Sequence, residues 1–123
     1  MALNILVVDD STAIRKILIR VLRQTALPIG EIFEARDGVE ALEALRQHPL
    51  NLVLSDINMP NLDGLGLLAE LKSKEQWRHL PVVMITTEGS EEKVSQAIRL
   101  GSAAYIRKPF TAEQIQEKIA ALL

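Results

Sequence analysis

Short apolar runs alternate along the chain with segments of helical period. ILVV at 5–8, EIFEA at 31–35, LVL at 52–54, PVVMI at 81–85 and AAYI at 103–106 read as five strands. Between the first two, Ile14, Ile17, Leu18, Val21 and Leu22 recur at three- and four-residue spacing. That spacing predicts an amphipathic helix with Arg15, Lys16, Arg20 and Arg23 mostly on its outer side. Later helices announce their starts: Asp37 stands three residues before Glu40 and Thr111 three before Gln114, the spacing of a capping box, and Ser90 precedes two glutamates. Gly101 is placed to end the fourth helix. Strands that are apolar throughout are covered on both faces, and strand–helix alternation calls for right-handed crossovers between parallel strands. The expected class is α/β, doubly wound.

Composition narrows the function. With 123 residues, 48% apolar and 24% charged, the chain is sized for one globular core; no repeat or linker appears, so 1–123 reads as a single domain without an attached output module. A net charge of −2 gives no broad attraction to nucleic acid or to an anionic membrane. The absence of cysteine excludes disulfides, zinc–thiolate sites and thiol nucleophiles. The opening MALNILVVDD has no basic region before its apolar run, and the run ends in two acids, which suits neither a signal peptide nor a membrane span. The cytoplasm is the expected location.

In open parallel sheets, ligands bind beyond the carboxyl ends of the strands. There the first strand offers Asp9 and Asp10, the third Asp56, the fourth Thr86 and Thr87, and the fifth Arg107 and Lys108 before Pro109. If these strands are neighbours, the groups converge. Two unit charges about 4 Å apart repel by about 4 kcal/mol at an effective dielectric of about 20, so three carboxylates need a cation. All-oxygen ligands favour a hard ion, and a site supplying a few carboxylates suits Mg²⁺. Lys108 and such an ion together would neutralise an incoming phosphoryl group.

The residues DD at 9–10, SDINMPNLDG from 55, ITT at 85–87 and YIRKPF at 105–110 resemble the response-regulator receiver domain, of the single-domain CheY-like kind, over the whole chain. The resemblance implies a five-stranded sheet in the order 2-1-3-4-5 with five helices. It implies that Asp56 is the phosphoacceptor, that Asp10 holds Mg²⁺ directly and Asp9 through water, and that Asp56 and the main-chain carbonyl of Asn58 complete the protein ligands. Lys108 then pairs with the phosphoryl oxygens, and Thr86 donates its hydroxyl to one of them. Thr86 and Tyr105 occupy the switch positions that couple phosphorylation to the surface of helix 4, strand 5 and helix 5. Asn58 and Glu88 stand where hydrolysis is tuned, and Lys108–Pro109 is expected to be cis. The implied partners are a histidine kinase or phosphotransfer protein and a separate downstream target, met by a monomer that is no enzyme beyond assisting its own phosphotransfer and dephosphorylation. Thr87 and Ser11 depart from the smaller and aromatic residues often found at their places.

Other readings stand beside these. Asp9 and Asp10 suit an N-cap, Asp63 before Gly64 suits turn or cap chemistry, and Thr86 and Tyr105 suit ordinary strand packing. His48 and His79 lie beside prolines in loops. The basic face of the first helix reads as solvated surface, with kinase docking as the functional alternative. Rival functions are a structural receiver that is never phosphorylated and a hydrolase working through an aspartyl phosphate. A flavodoxin-type mononucleotide binder would need a hydroxyl- and glycine-rich loop after the first strand, and that loop is missing.

Overall fold

The structure, a computed structural model, describes residues 2–87 and 91–123. Strand and helix alternate throughout: β1 (Leu3–Val8), α1 (Thr12–Gln24), β2 (Ile29–Ala35), α2 (Gly38–Gln47), β3 (Leu52–Asp56), α3 (Gly64–Ser73), β4 (Val82–Thr87), α4 (Glu91–Leu100), β5 (Ala104–Lys108) and α5 (Ala112–Ala120). The strands pair in parallel in the order β2-β1-β3-β4-β5, as the resemblance implies.

The two faces of the sheet carry separate cores. Ile5, Val7, Leu54, Val83 and Ile106 pack with Leu18 and Leu22 of α1 and Ile115 and Ile119 of α5. Leu6, Val8, Val53 and Met84 pack with Ala41 and Leu45 of α2, Leu67, Leu68 and Leu71 of α3 and Ala97 of α4. The alternation within each strand is therefore between two apolar faces, which is why the inner strands read as continuous apolar runs. Edge strands β2 and β5 are mostly half-buried.

Strand bounds differ from the sequence expectation in a useful direction. β3 runs on to Asp56 and β5 to Lys108, so both functional candidates are the last residues of paired strands. β2 begins at Ile29, two residues before the expected start, because its register with β1 slips by one between Leu3↔Ile29 and Ile5↔Ile32. Gly30 lies in that slip; a Cβ there would stand 2.6 Å from Asn4 Oδ1, which accepts the Glu31 N–H at 3.0 Å.

Helix ends follow the expected chemistry with two corrections. Thr111 and Gln114 form the reciprocal capping box of α5. At α2, Asp37 accepts the Glu40 N–H, but Glu40 reaches past the cap to the Arg36 N–H and guanidinium. The first helix is capped by Ser11, not by Asp9 or Asp10, and Asp63 caps α3. α4 ends at Gly101, whose φ of +102° and the Ser102 N–H to Ala97 carbonyl bond form a Schellman closure. Ser90 and Glu88 lie outside the described residues. On α1, Ile17 of the expected core face is 43% exposed, whereas Arg15 of the expected solvated face is buried.

Candidate functional site

Sheet register assembles the site. Val8 pairs with Ser55, so Asp9 leaves β1 beside Asp56 at the end of β3; Thr87 pairs with Lys108 at the ends of β4 and β5. One carboxylate oxygen from each of Asp9, Asp10 and Asp56 lies within 4.8 Å of the others. Lys108 reaches into this cluster with Nζ 3.2 Å from Asp9 Oδ2 and 3.7 Å from Asp56 Oδ2. The Lys108–Pro109 bond is cis, as expected.

The three acids have different surroundings. Asp9 is buried, with its Oδ1 accepting the Ser11 N–H at 2.8 Å, its N–H bound to the Ala35 carbonyl and its own carbonyl accepting from Arg15 at 2.6 Å. Asp10 is exposed. Asp56 is half-buried and accepts the Ile57 N–H at 2.8 Å. Burial pushes the Asp56 carboxyl above its ordinary value, Lys108 pulls it down, and Asp9 and Asp10 push it further up. One ammonium does not offset both burial and two neighbouring carboxylates.

Gly64 brings the following segment against the acceptor candidate. Its N–H donates to the Ile57 carbonyl at 2.8 Å, and a Cβ at this position would stand 2.2 Å from the Asp56 carbonyl oxygen. The loop between Asp56 and Gly64 is also tied to α2, through Asn61 Nδ2 to Asp37 Oδ2 at 2.7 Å and the Gly38 N–H to the Leu62 carbonyl at 2.9 Å. Asp37 is held below the ordinary carboxyl range by the Glu40 N–H first and Asn61 second.

The remaining candidates divide. Thr86 is buried, and its hydroxyl donates to the Thr87 carbonyl at 3.2 Å. Tyr105 is half-buried, with the Lys118 ammonium 5.4 Å and the Arg107 guanidinium 6.0 Å from its ring centre. The Asn58 side-chain oxygen accepts from Lys93 of α4, a link that no sequence spacing announces. His48 stacks on Phe33 at the far end of the sheet and, with His79 and Trp77, lines an open hollow of about 460 Å³ remote from the acids. Trp77 therefore stands away from Asp56.

The donor set fits Mg²⁺. It consists of carboxylate oxygens close enough to share one ion, with neither histidine nor cysteine beside them, and it leaves coordination positions for water and phosphate oxygens.

A doubly wound α/β sheet with three clustered carboxylates and a lysine at its carboxyl edge defines a class of phosphorelay receiver. The model of the response regulator receiver domain matches residues 5–120, and the chain belongs to that family. It is homologous to CheY chemotaxis response regulators. It is 39% identical to chemotaxis protein CheY-3 of Vibrio cholerae over 95% of this chain and 88% of the relative. It is 37% identical to chemotaxis protein CheY1 of Helicobacter pylori over 98% and 97%. Its backbone matches the structure of the chemotaxis response regulator CheY4 of Vibrio cholerae with a TM-score of 0.87 and 29% identity over all of both chains. No helix among the described residues is long and apolar enough to cross a membrane.

Proposed function

We propose that this protein is a stand-alone response regulator in which Asp56 accepts a phosphoryl group in a Mg²⁺-dependent reaction and thereby controls a separate partner. The observation that carries this reading is the gathering of Asp9, Asp10 and Asp56 in one cluster with Lys108 bridging two of them. An ionised Asp56 oxygen forms a bond to phosphorus while the donor's bond breaks: P–N in the phosphohistidine of a kinase or phosphotransfer protein, P–O in acetyl phosphate. The leaving group departs with the electron pair and is protonated from solvent. Asp10, Asp56 and the Asn58 carbonyl would hold Mg²⁺ directly, with Asp9 acting through water; when bound, the ion supplies positive charge opposite the phosphoryl oxygens.

Lys108 pairs with the transferred group, and Thr86 exchanges its bond to the Thr87 carbonyl for one to a phosphoryl oxygen. Tyr105 then changes its packing beside α4 and α5, and the partner meets that surface. Asn58 and Glu88 set the lifetime of the acyl phosphate. Inverting a two-state equilibrium from 1:99 to 99:1 takes about 5.5 kcal/mol, so partner binding completes what a few charge-assisted hydrogen bonds begin. The names of the relatives support a chemotaxis-type pathway, in which we place the chain as a cytoplasmic monomer.

Intact mass after incubation with acetyl phosphate tests the reading. The expected result is one phosphoryl adduct, dependent on Mg²⁺ and absent from Asp56→Asn. An unmodified wild type under every condition would make the protein a structural receiver, and fast multiple turnover of phosphate esters would make it a hydrolase.

A further inference from the structure

Arg15 is a buried guanidinium that the acceptor chemistry leaves without a role. Its three nitrogens are all engaged: one donates to the Asp9 carbonyl at 2.6 Å, Nε to Glu34 Oε1 at 2.9 Å, and the third to Thr12 Oγ1 at 3.1 Å. Glu34 is held on its other oxygen by Lys16 at 2.8 Å. The fork is thus clamped before it reaches the acid loop. Its pair with Glu34 is buried on the arginine side alone, and a partly exposed ion pair is weak evidence of a stabilising role that a well-packed apolar side chain could not fill. What such a side chain cannot do is donate to the Asp9 carbonyl.

We propose that Arg15 is a positioning residue for the metal site: clamped by Glu34, it sets the main chain at Asp9 and Asp10 in the arrangement that Mg²⁺ binding requires. The inference rests on the metal-site reading above. Asp9 is restrained at its N–H by Ala35, at Oδ1 by Ser11, at Oδ2 by Lys108 and at its carbonyl by Arg15. Asp10 is exposed, so its direction is inherited from the main chain on either side: Asp9, tied to Arg15, and Ser11, the cap of α1. Arg15 meets the acid cluster at the Asp9 carbonyl and not at a carboxylate. Its influence therefore runs through the Asp9 backbone. Partners that orient metal ligands without touching the ion typically cost 10- to 100-fold in affinity when removed.

Calorimetric titration with Mg²⁺, run beside urea unfolding, tests the proposal on the wild type, Arg15→Met, Arg15→Lys, Glu34→Gln and Arg20→Met. Arg15→Met is expected to weaken Mg²⁺ binding about 10-fold, with Arg15→Lys restoring part of the loss because an ammonium keeps the charge but not the planar fork. Glu34→Gln is expected to weaken binding several-fold through the same clamp. Arg20→Met removes an exposed charge from the same helix and is expected to stay within about twofold. With acetyl phosphate, the loss should appear in the Mg²⁺ concentration required and be recovered at saturating Mg²⁺. A role in folding alone would lower the urea midpoint and leave the Mg²⁺ affinity of the folded variant at the wild-type value, which overturns the proposal. If Arg15→Met does not fold, unchanged affinity in both Arg15→Lys and Glu34→Gln overturns it. A wild type that binds no Mg²⁺ would remove the metal-site reading itself, and this inference with it.

Discussion

Asp56 is the residue at which folding and function pull apart. Its carboxyl is raised above the ordinary value of 3.8 by burial and by two neighbouring acids, so its charged form is penalised in the folded protein. Stability without a divalent ion therefore falls as pH rises from about 3.8 through the raised folded value. Without Mg²⁺, Asp56→Asn is expected to be more stable than the wild type at pH 7 by on the order of 1 kcal/mol, a fraction of the full pairwise repulsion because the site is partly open to water. The advantage should vanish below pH 3.8; urea midpoints for both proteins across this range measure it. Gly64 makes the opposite case, since any side chain at this position collides with the Asp56 carbonyl. Gly64→Ala is expected to cost about 3 kcal/mol and to slow phosphorylation by displacing the acceptor's main chain, which denaturation and adduct-formation rates separate.

At the scale of elements, the sequence was most readable where one local rule decides the outcome. Thr111 and Gln114 open α5, Asp63 opens α3 and Gly101 closes α4, as their residue types and places predict. Thr111→Ala, which removes the hydroxyl that accepts the Gln114 N–H and leaves the Thr111 backbone N–H to Gln114, should lower stability by about 1 kcal/mol, read as a fall in the urea midpoint. The acids at the strand ends were also legible, because only strand ends can present Asp9, Asp10 and Asp56 together. The strand order was not: nothing in the apolar runs says which are neighbours, and that order came from the resemblance. Arg15 was misread for a related reason. A helix pattern separates apolar from polar positions, but whether a polar position meets solvent or a partner depends on what the neighbouring strand carries, here Glu34. Lys93 escaped likewise, since its contact with Asn58 joins elements 35 positions apart.

At the scale of the whole molecule, the charged groups act on stability in opposite directions. Glu34, Asp37 and Glu40 are held below their ordinary values by Lys16, by the Glu40 N–H and by Arg36 respectively, so their contribution is full above about pH 4.5 and is lost as pH falls through the lowered values. On the proposed function, Mg²⁺ would add to this by binding only the folded chain. At ten times its dissociation constant it should stabilise the wild type by about 1.4 kcal/mol and Asp56→Asn by much less, a difference thermal unfolding reads directly. Lys108→Ala is expected to accept a phosphoryl group yet fail to transmit it, seen as an adduct by mass with the Tyr105 resonances unmoved. The register slip at Gly30 bears on all of this. In paired strands a shift of one position exchanges the two faces for every residue that follows. The extra residue in β2 keeps Ile29 and Ile32 facing the same helices and so turns Glu34 toward α1. A strand that alternated strictly from Ile29, with no residue left over, would instead put Phe33 where Glu34 now meets Arg15 and Lys16. The geometry of the acid pair is thus set in part by a miscount at the opposite end of the sheet.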